Sequence, residues 1–246
     1  MERQNKFGIT SSALHILAMA FMLCDHLWAR VVPGNDWLTW VGRLAFPIFA
    51  FMIAEGYAHT GNVKKYAKRL LILALLSEIP FNLMYSSSFI YPFHQNVIWT
   101  FLIALGLIHF IETIRKKGKL WLTIPVAAVA ALFATALGYI AMTGYFGAGV
   151  LTVLTFYFFR QKKWWCLIGQ MLCLWYINVE MLSGLYYPVE IFGFSFNLVQ
   201  QSLAMLSLVF IWLYNGEKGY SAKWFRNFCY GFYPLHMLII ALTVIF

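Results

Sequence analysis

Unbroken apolar runs of membrane-crossing length recur along this sequence, and they restrict its fold more than any single motif does. A helix needs about 20 apolar residues to cross the hydrocarbon core of a bilayer. In hydrocarbon every backbone polar group must find its partner within the protein, so only helices and closed barrels cross. The runs here are continuous and lack period-two alternation, which excludes an outer-membrane barrel. They predict spans at about 11–32, 37–59, 65–86, 94–114, 120–140, 144–160, 163–182, 197–215 and 226–246. The stretch 120–160 is interrupted by Gly138, Gly144, Gly147 and Gly149. About nine such helices occupy roughly 180 of the 246 residues, which leaves short loops and no room for a soluble domain. Composition agrees: 62% of residues are hydrophobic and 11% charged, against roughly a quarter charged in an ordinary soluble domain. The expected fold class is all-α, a polytopic integral membrane bundle of about nine transmembrane helices forming a single domain over 1–246. No internal repeat of fixed period and no low-complexity linker divides it.

The net charge is +9, from 18 Lys and Arg against 9 Asp and Glu, and the positions of these residues decide its meaning. Arg3 and Lys6 precede the first span, and Lys64, Lys65, Lys68 and Arg69 follow the second. Arg115, Lys116, Lys117 and Lys119 follow the fourth; Arg160, Lys162 and Lys163 follow the sixth; Lys218, Lys223 and Arg226 follow the eighth. All of these fall on one side, while Arg30 stands alone on the other and Arg43 lies within the second span. Cytoplasmic loops carry the Lys/Arg excess, so the amino terminus is expected inside and, after nine spans, the carboxyl terminus outside. The basic balance is therefore a topology marker and not a nucleic-acid surface. The first apolar segment contains Asp25-His26 and lacks a small-x-small cleavage site, so it is expected to remain as a helix. Cys24, Cys166, Cys173 and Cys229 have neither metal-ligand spacing nor a CxxC, and read as small apolar residues.

Ionisable residues within a bilayer are costly and mark function by default. Asp25 and His26 lie in the outer half of span one and Arg43 in the outer half of span two. Glu55 and His59 lie toward the inner end of span two, four apart and so on one face. Glu78 and Asn82, also four apart, lie in the outer half of span three. His94-Gln95-Asn96 opens span four at the outer surface, and His236 lies near the middle of span nine. This predicts one polar cavity opening outward, lined by spans one to four. His15 and His26 share a face of span one, roughly 16 Å apart, with Met19 and Met22 between them. That stripe reads either as a tunnel lining or as ordinary packing with His15 at the interface. Neighbouring helix residues point about 100° apart, so Asp25 need not orient His26. Its expected partner is Arg43, since a buried carboxylate seeks a cation; Glu78 competes for the same arginine. An ion pair that merely staples spans one and two is the plainer reading. Lys65 and Arg69 share a helix face and suit either an anionic phosphate or a positive-inside anchor. No metal site is expected, because the histidines and carboxylates are scattered over separate helices without ligand spacing.

At these residues the sequence resembles the TraX family of membrane proteins, named for the protein that acetylates the amino terminus of conjugative pilin. The matching segments are Met22-Leu23-Cys24-Asp25-His26, Gly42 through Phe51 leading to Glu55-Gly56, Tyr66 through Leu70, Ser77-Glu78-Ile79-Pro80-Phe81-Asn82, His94-Gln95-Asn96-Val97 and Tyr233-Pro234-Leu235-His236. They cover most of the first 115 residues and recur near the carboxyl end, whereas about 120–220 matches only in hydropathy. More distantly the chain is similar to the transmembrane acyltransferases, which include a lysosomal heparan glucosaminide acetyltransferase and sugar O-acetyltransferases.

The resemblance implies an acetyl-CoA-dependent membrane N-acetyltransferase of the cytoplasmic (inner) membrane. It would pass an acetyl group from cytosolic acetyl-CoA to an extracytoplasmic acceptor: a peptide amino terminus, a sugar or a small amine. On this reading His26 is the general base, since its unperturbed pKa lies near working pH, and Asp25 and Glu78 hold Arg43 and tune His26. The developing oxyanion needs an electrophile, for which Arg43, Asn82 and Asn96 are the candidates. His15, Glu55, His59, Lys65 and Arg69 form the expected cofactor path. Asn82, His94, Gln95 and Asn96 are the expected acceptor contacts, with His236 closing the cavity. Direct transfer and an acetyl-histidine intermediate both remain open. The competing class is a proton-coupled transporter or exporter, because intramembrane Asp, Glu and His also build proton relays. The crowding of polar residues into the amino-terminal half, with no matching second half, disfavours it.

Overall fold

The computed structural model describes residues 7–117, 120–191 and 193–245. Arg3, Lys6 and Lys119, three of the basic residues assigned to the cytoplasmic side, lie outside the described residues. Helix starts follow capping chemistry, in which a short polar side chain accepts one of the orphan first-turn N–H groups. Thr10 caps α1 (Ser11–Arg30) by accepting from the Ala13 amide. Asn62 caps α4 (Val63–Ser86) by accepting from Lys65 at 2.8 Å. Asn96 caps α5 (Val97–Lys116) by accepting from Ile98 at 3.1 Å.

The second predicted span is two helices. α2 (Trp37–Gly42) and α3 (Ala45–His59) are separated by a turn at Arg43 and Leu44. Pro47 accounts for the break. It has no N–H to give the Arg43 carbonyl, and its ring would clash with that carbonyl in a continuous helix; as the third residue of α3 it sits where an N–H would be unpaired anyway. The chain then continues through α6 (Leu120–Ile140), α7 (Phe146–Phe158), α8 (Trp164–Trp175) and a π-helical turn (Tyr176–Met181).

The eighth predicted span begins too early. Residues up to Val199 belong to an antiparallel hairpin, β1 (Tyr186–Ile191) and β2 (Phe194–Val199), in which Tyr186 pairs with Val199 and Ile191 with Phe194. Only then does a 3-10 segment (Gln200–Leu206) lead into α9 (Ser207–Leu213) and, after a loop, α10 (Lys223–Ile245). Apart from this hairpin the fold is helical. Among the described residues four segments are long and apolar enough to cross a membrane: Ser11–Arg30, Trp37–His59, Val97–Lys116 and Lys223–Ile245.

α3 lies at the centre. Its Ile48, Ala50 and Ala54 are fully buried, packed with Leu14 and Ala18 of α1, Leu105 and Ile108 of α5, and Val150, Val153 and Phe156 of α7. Met19 and Met22, between His15 and His26 on α1, are buried. The outer faces are apolar too: Leu75, Leu76 and Ile79 on α4, and Ile124, Leu132 and Phe133 on α6, are exposed, as suits lipid contact.

The bundle has two chemically different ends. At one, the Ser11 amide donates to Glu217 (2.8 Å), Lys162 Nζ donates to the Trp212 carbonyl (2.9 Å), and Arg160 lies against Glu55. The described basic loop residues gather there. The opposite end holds the Arg43 turn, the hairpin, and a loop in which the Gln95 amide donates to Met142 at 2.8 Å.

Candidate functional site

The polar centre lies toward the end opposite the basic loops, and begins where α1 meets α2. Gly42 permits the contact: a Cβ there would collide with the Cβ and Oδ1 of Asp25. With the helices this close, Arg43 Nη2 donates to Asp25 Oδ1 in a salt bridge whose side chains are 18% and 15% exposed. Thr39 Oγ1 donates to the same oxygen at 2.8 Å, and Gln200 Nε2 donates to Thr39 Oγ1 at 3.1 Å. Arg43 Nη1 donates to Gln201 Oε1 at 3.1 Å, and Gln201 Nε2 donates to Asn178 Oδ1 at 3.1 Å. One network therefore ties α1, α2, the π-helical turn and the 3-10 segment together. Arg43 Nε is buried without a hydrogen-bond partner. Tyr85 and Tyr145 lie within electrostatic reach of both Arg43 and Asp25.

His26 faces away from Asp25, as the 100° step between helix neighbours requires. Its Nδ1 is 2.7 Å from Nε2 of His236 on α10, the two rings being parallel with centroids 5.0 Å apart. His236 Nδ1 is 2.7 Å from the Phe232 carbonyl, and the Tyr85 ring meets His26 edge-on. Both imidazoles are buried. Arg43 and Asp25 remain within electrostatic reach of His26.

Glu78 does not compete for Arg43. Its Oε2 accepts from Asn96 Nδ2 and from Trp99 Nε1 (3.0 Å), because the cap residue and the first turn of α5 are packed beside α4. Asn96 Nδ2 also donates to the Ala74 carbonyl at 2.9 Å, and Asn96 Oδ1 caps α5. Its two amide hydrogens are thus both used within the protein. Asn82 donates to the Phe89 carbonyl at 3.3 Å, while its Oδ1 and Glu78 Oε1 are buried without partners. His94 packs against Phe81 and Tyr85, and burial lowers its pKa against an opposing hydrogen bond at Gly144. Gln95 Nε2 donates to the Pro92 carbonyl within its own loop.

The residues of the expected cofactor path are spread over the basic end. His59 Nε2 pairs with Glu55 Oε1 at 2.8 Å, and Arg160 approaches Glu55 Oε2 at 3.6 Å. Glu55, Arg160 and Lys162 line a cavity of about 260 Å³, and Arg115, Lys116 and Arg160 border a second of about 590 Å³. Lys162 is lowered in pKa by burial, with Glu55 opposing. Lys65 and Arg69 stand exposed on α4, Arg69 over the Tyr66 ring. His15 is bonded to the Ser11 carbonyl of its own helix. Among the described residues no three His, Cys, Asp or Glu side chains converge as a metal site requires.

Sequence reasoning missed Thr39, Tyr85, Asn178, Gln200 and Gln201. A signal was present for three of them: Asn178, Gln200 and Gln201 are polar residues in otherwise apolar runs, the same criterion that picked out Asp25 and Glu78. Comparison with known proteins extends the likeness beyond the amino-terminal motifs. The family model described as TraX protein matches residues 10–244, including the middle of the chain that supplies Tyr145, Asn178 and Gln201. A probable fimbrial assembly protein, FimC of serogroup H1 from Dichelobacter nodosus, is 32% identical over 69 residues. That match spans 26% of this chain and 28% of the relative. No solved structure matches. The chain belongs to the TraX family, and its apolar helices mark it as an integral membrane protein.

Proposed function

We propose that this TraX-family chain is a membrane-embedded acetyltransferase, moving an acetyl group from cytosolic acetyl-CoA to an amine or hydroxyl acceptor on the extracytoplasmic side. The supporting observation is the polar centre: a buried guanidinium with an unpaired Nε–H, held by Asp25 and Gln201, within electrostatic reach of a buried imidazole. Such a donor is suited to the oxyanion of an acyl transfer, and such an imidazole to removing the acceptor's proton. In the proposed step the acceptor nitrogen or oxygen attacks the thioester carbonyl while His26 takes its proton. The tetrahedral oxyanion is stabilised by Arg43, the C–S bond breaks, and the proton is returned to the departing thiolate. Direct transfer in a ternary complex is preferred.

The chain is read as crossing the inner membrane about nine times, with the basic end in the cytoplasm. The two cavities there, with Glu55, His59, Lys65 and Arg69 nearby, would then meet the anionic cofactor, and the Arg43 end would open toward the acceptor. The partial relative's name, fimbrial assembly protein, supports a peptide amino terminus as the acceptor.

The test is labelled acetyl-CoA supplied to membranes containing the chain, followed by identification of the labelled product. His26→Ala should abolish transfer while leaving expression and acetyl-CoA binding intact. Near-normal turnover of that variant would remove His26 from the mechanism. Proton-coupled uptake by wild-type vesicles without acetyl transfer would replace the reading with transport.

A further inference from the structure

A neutral imidazole has one N–H and one bare nitrogen, and the hydrogen bond made by one nitrogen decides the role of the other. The chain of contacts from α10 to α1 fixes both rings by this rule. The Phe232 carbonyl can only accept, so His236 Nδ1, 2.7 Å away, carries the proton. His236 Nε2 is then bare and accepts from His26 Nδ1 at 2.7 Å. That places the His26 proton on Nδ1 and leaves its Nε2 bare, the hydrogen bond of the ring among the described residues being the one at Nδ1. The rings are fixed in this relation by packing: Phe232 stacks on His236 with centroids 4.8 Å apart and a 14° interplanar angle, and Tyr85 closes on His26 from the side. Asp25, the adjacent carboxylate, is committed to Thr39 and Arg43.

We propose that His236 is a positioning residue: it holds His26 in the Nδ1–H tautomer, so that Nε2 of His26 is the atom that takes the acceptor's proton. This rests on the acetyltransferase reading for its consequence, though the tautomer itself does not. When Nε2 takes the proton, the imidazolium keeps its Nδ1–H bond to His236. When the thioester C–S bond has broken, the same Nε2 proton leaves for the thiolate sulfur. His236 thus orients the ring as a carboxylate does in a hydrolytic triad, but adds no negative charge to a buried site.

The experiment is nitrogen-15 NMR of histidine-labelled full-length chain in lipid nanodiscs, with the His26 signals identified by their loss in His26→Ala. The wild type should show His26 protonated at Nδ1 and bare at Nε2. His236→Phe, which removes the acceptor, should leave His26 in mixed tautomers and lower kcat at least about tenfold with KM for acetyl-CoA unchanged. His236→Gln, whose Oε1 can accept from Nδ1–H, should restore both the tautomer and most of the turnover. A wild-type His26 protonated at Nε2 overturns the proposal even if neither variant folds, as does an unchanged tautomer in His236→Phe. If the tautomers behave as stated but the wild type transfers no acetyl group, the positioning role stands and the acetyltransferase reading fails.

Discussion

Asp25 and Arg43 meet across the α1–α2 contact, Oδ1 to Nη2, where Gly42 lets the two helices come close. The links through Thr39, Gln201 and Asn178 all join this pair. Removing one member of a buried ion pair strands the other charge, at a cost of about 3–5 kcal/mol. With side chains 18% and 15% exposed, this pair is only partly buried, so Asp25→Asn and Arg43→Gln should each lower stability by less, about 1–3 kcal/mol, in thermal unfolding of the detergent-solubilised protein. The double variant should recover part of the loss, and an additive double variant would show the pair to be uncoupled.

Gly42→Ala forces a methyl group into Asp25, and overpacking of this kind costs about 1–3 kcal/mol. Gly106 in α5 has open space where its Cβ would be, so Gly106→Ala should stabilise by about 0.5–1 kcal/mol. The two substitutions make identical chemical changes, and opposite shifts in melting temperature would isolate the close approach as the cause.

At Glu78 the relevant atom is Oε2, which accepts from Asn96 and Trp99. Glu78→Gln keeps a carbonyl oxygen at that position and should preserve stability to within about 1 kcal/mol. Glu78→Ala orphans both donors and should cost about 1–3 kcal/mol. Tryptophan fluorescence offers a second readout, since Trp99 loses its acceptor only in the alanine variant.

His94 predicts a pH dependence with a definite sign. Burial lowers its pKa below the ordinary 6.5, so the folded state binds the proton less readily than the unfolded state. Its stabilising contribution is therefore complete above pH 6.5 and is lost as pH falls through the lowered value. Melting temperature should fall on acidification from about pH 6.5 down to that lowered value, and His94→Gln should flatten this part of the profile. An unchanged profile in the variant would assign the acid sensitivity to another group.

Much of the site could be named in advance because intramembrane polarity is conspicuous one residue at a time. Asp25, His26, Arg43, Glu78 and His236 each stand out in an apolar run. The Asp25–Arg43 pair followed from the same reasoning, but the partners of Glu78 and His26 did not. Glu78 is a plausible mate for Arg43 by depth, yet Asn96 at the cap and Trp99 in the first turn of α5 claim it. His26 and His236 are 210 residues apart, and helical periodicity says nothing about which of two distant faces will pack.

What the sequence determined by itself are properties carried by local stretches: apolar lengths that demand helices, polar residues that stand out within them, and basic residues clustered in alternate loops. The tertiary structure alone decided which polar groups share a site, that Gln201 and Asn178 belong to it, and that a hairpin occupies Tyr186–Val199. The reason is physical. Hydrophobic burial and backbone hydrogen bonding act over a few neighbouring residues, whereas a polar contact in a bundle depends on how closely two whole helices approach. That distance is set by side chains as small as the single hydrogen of Gly42.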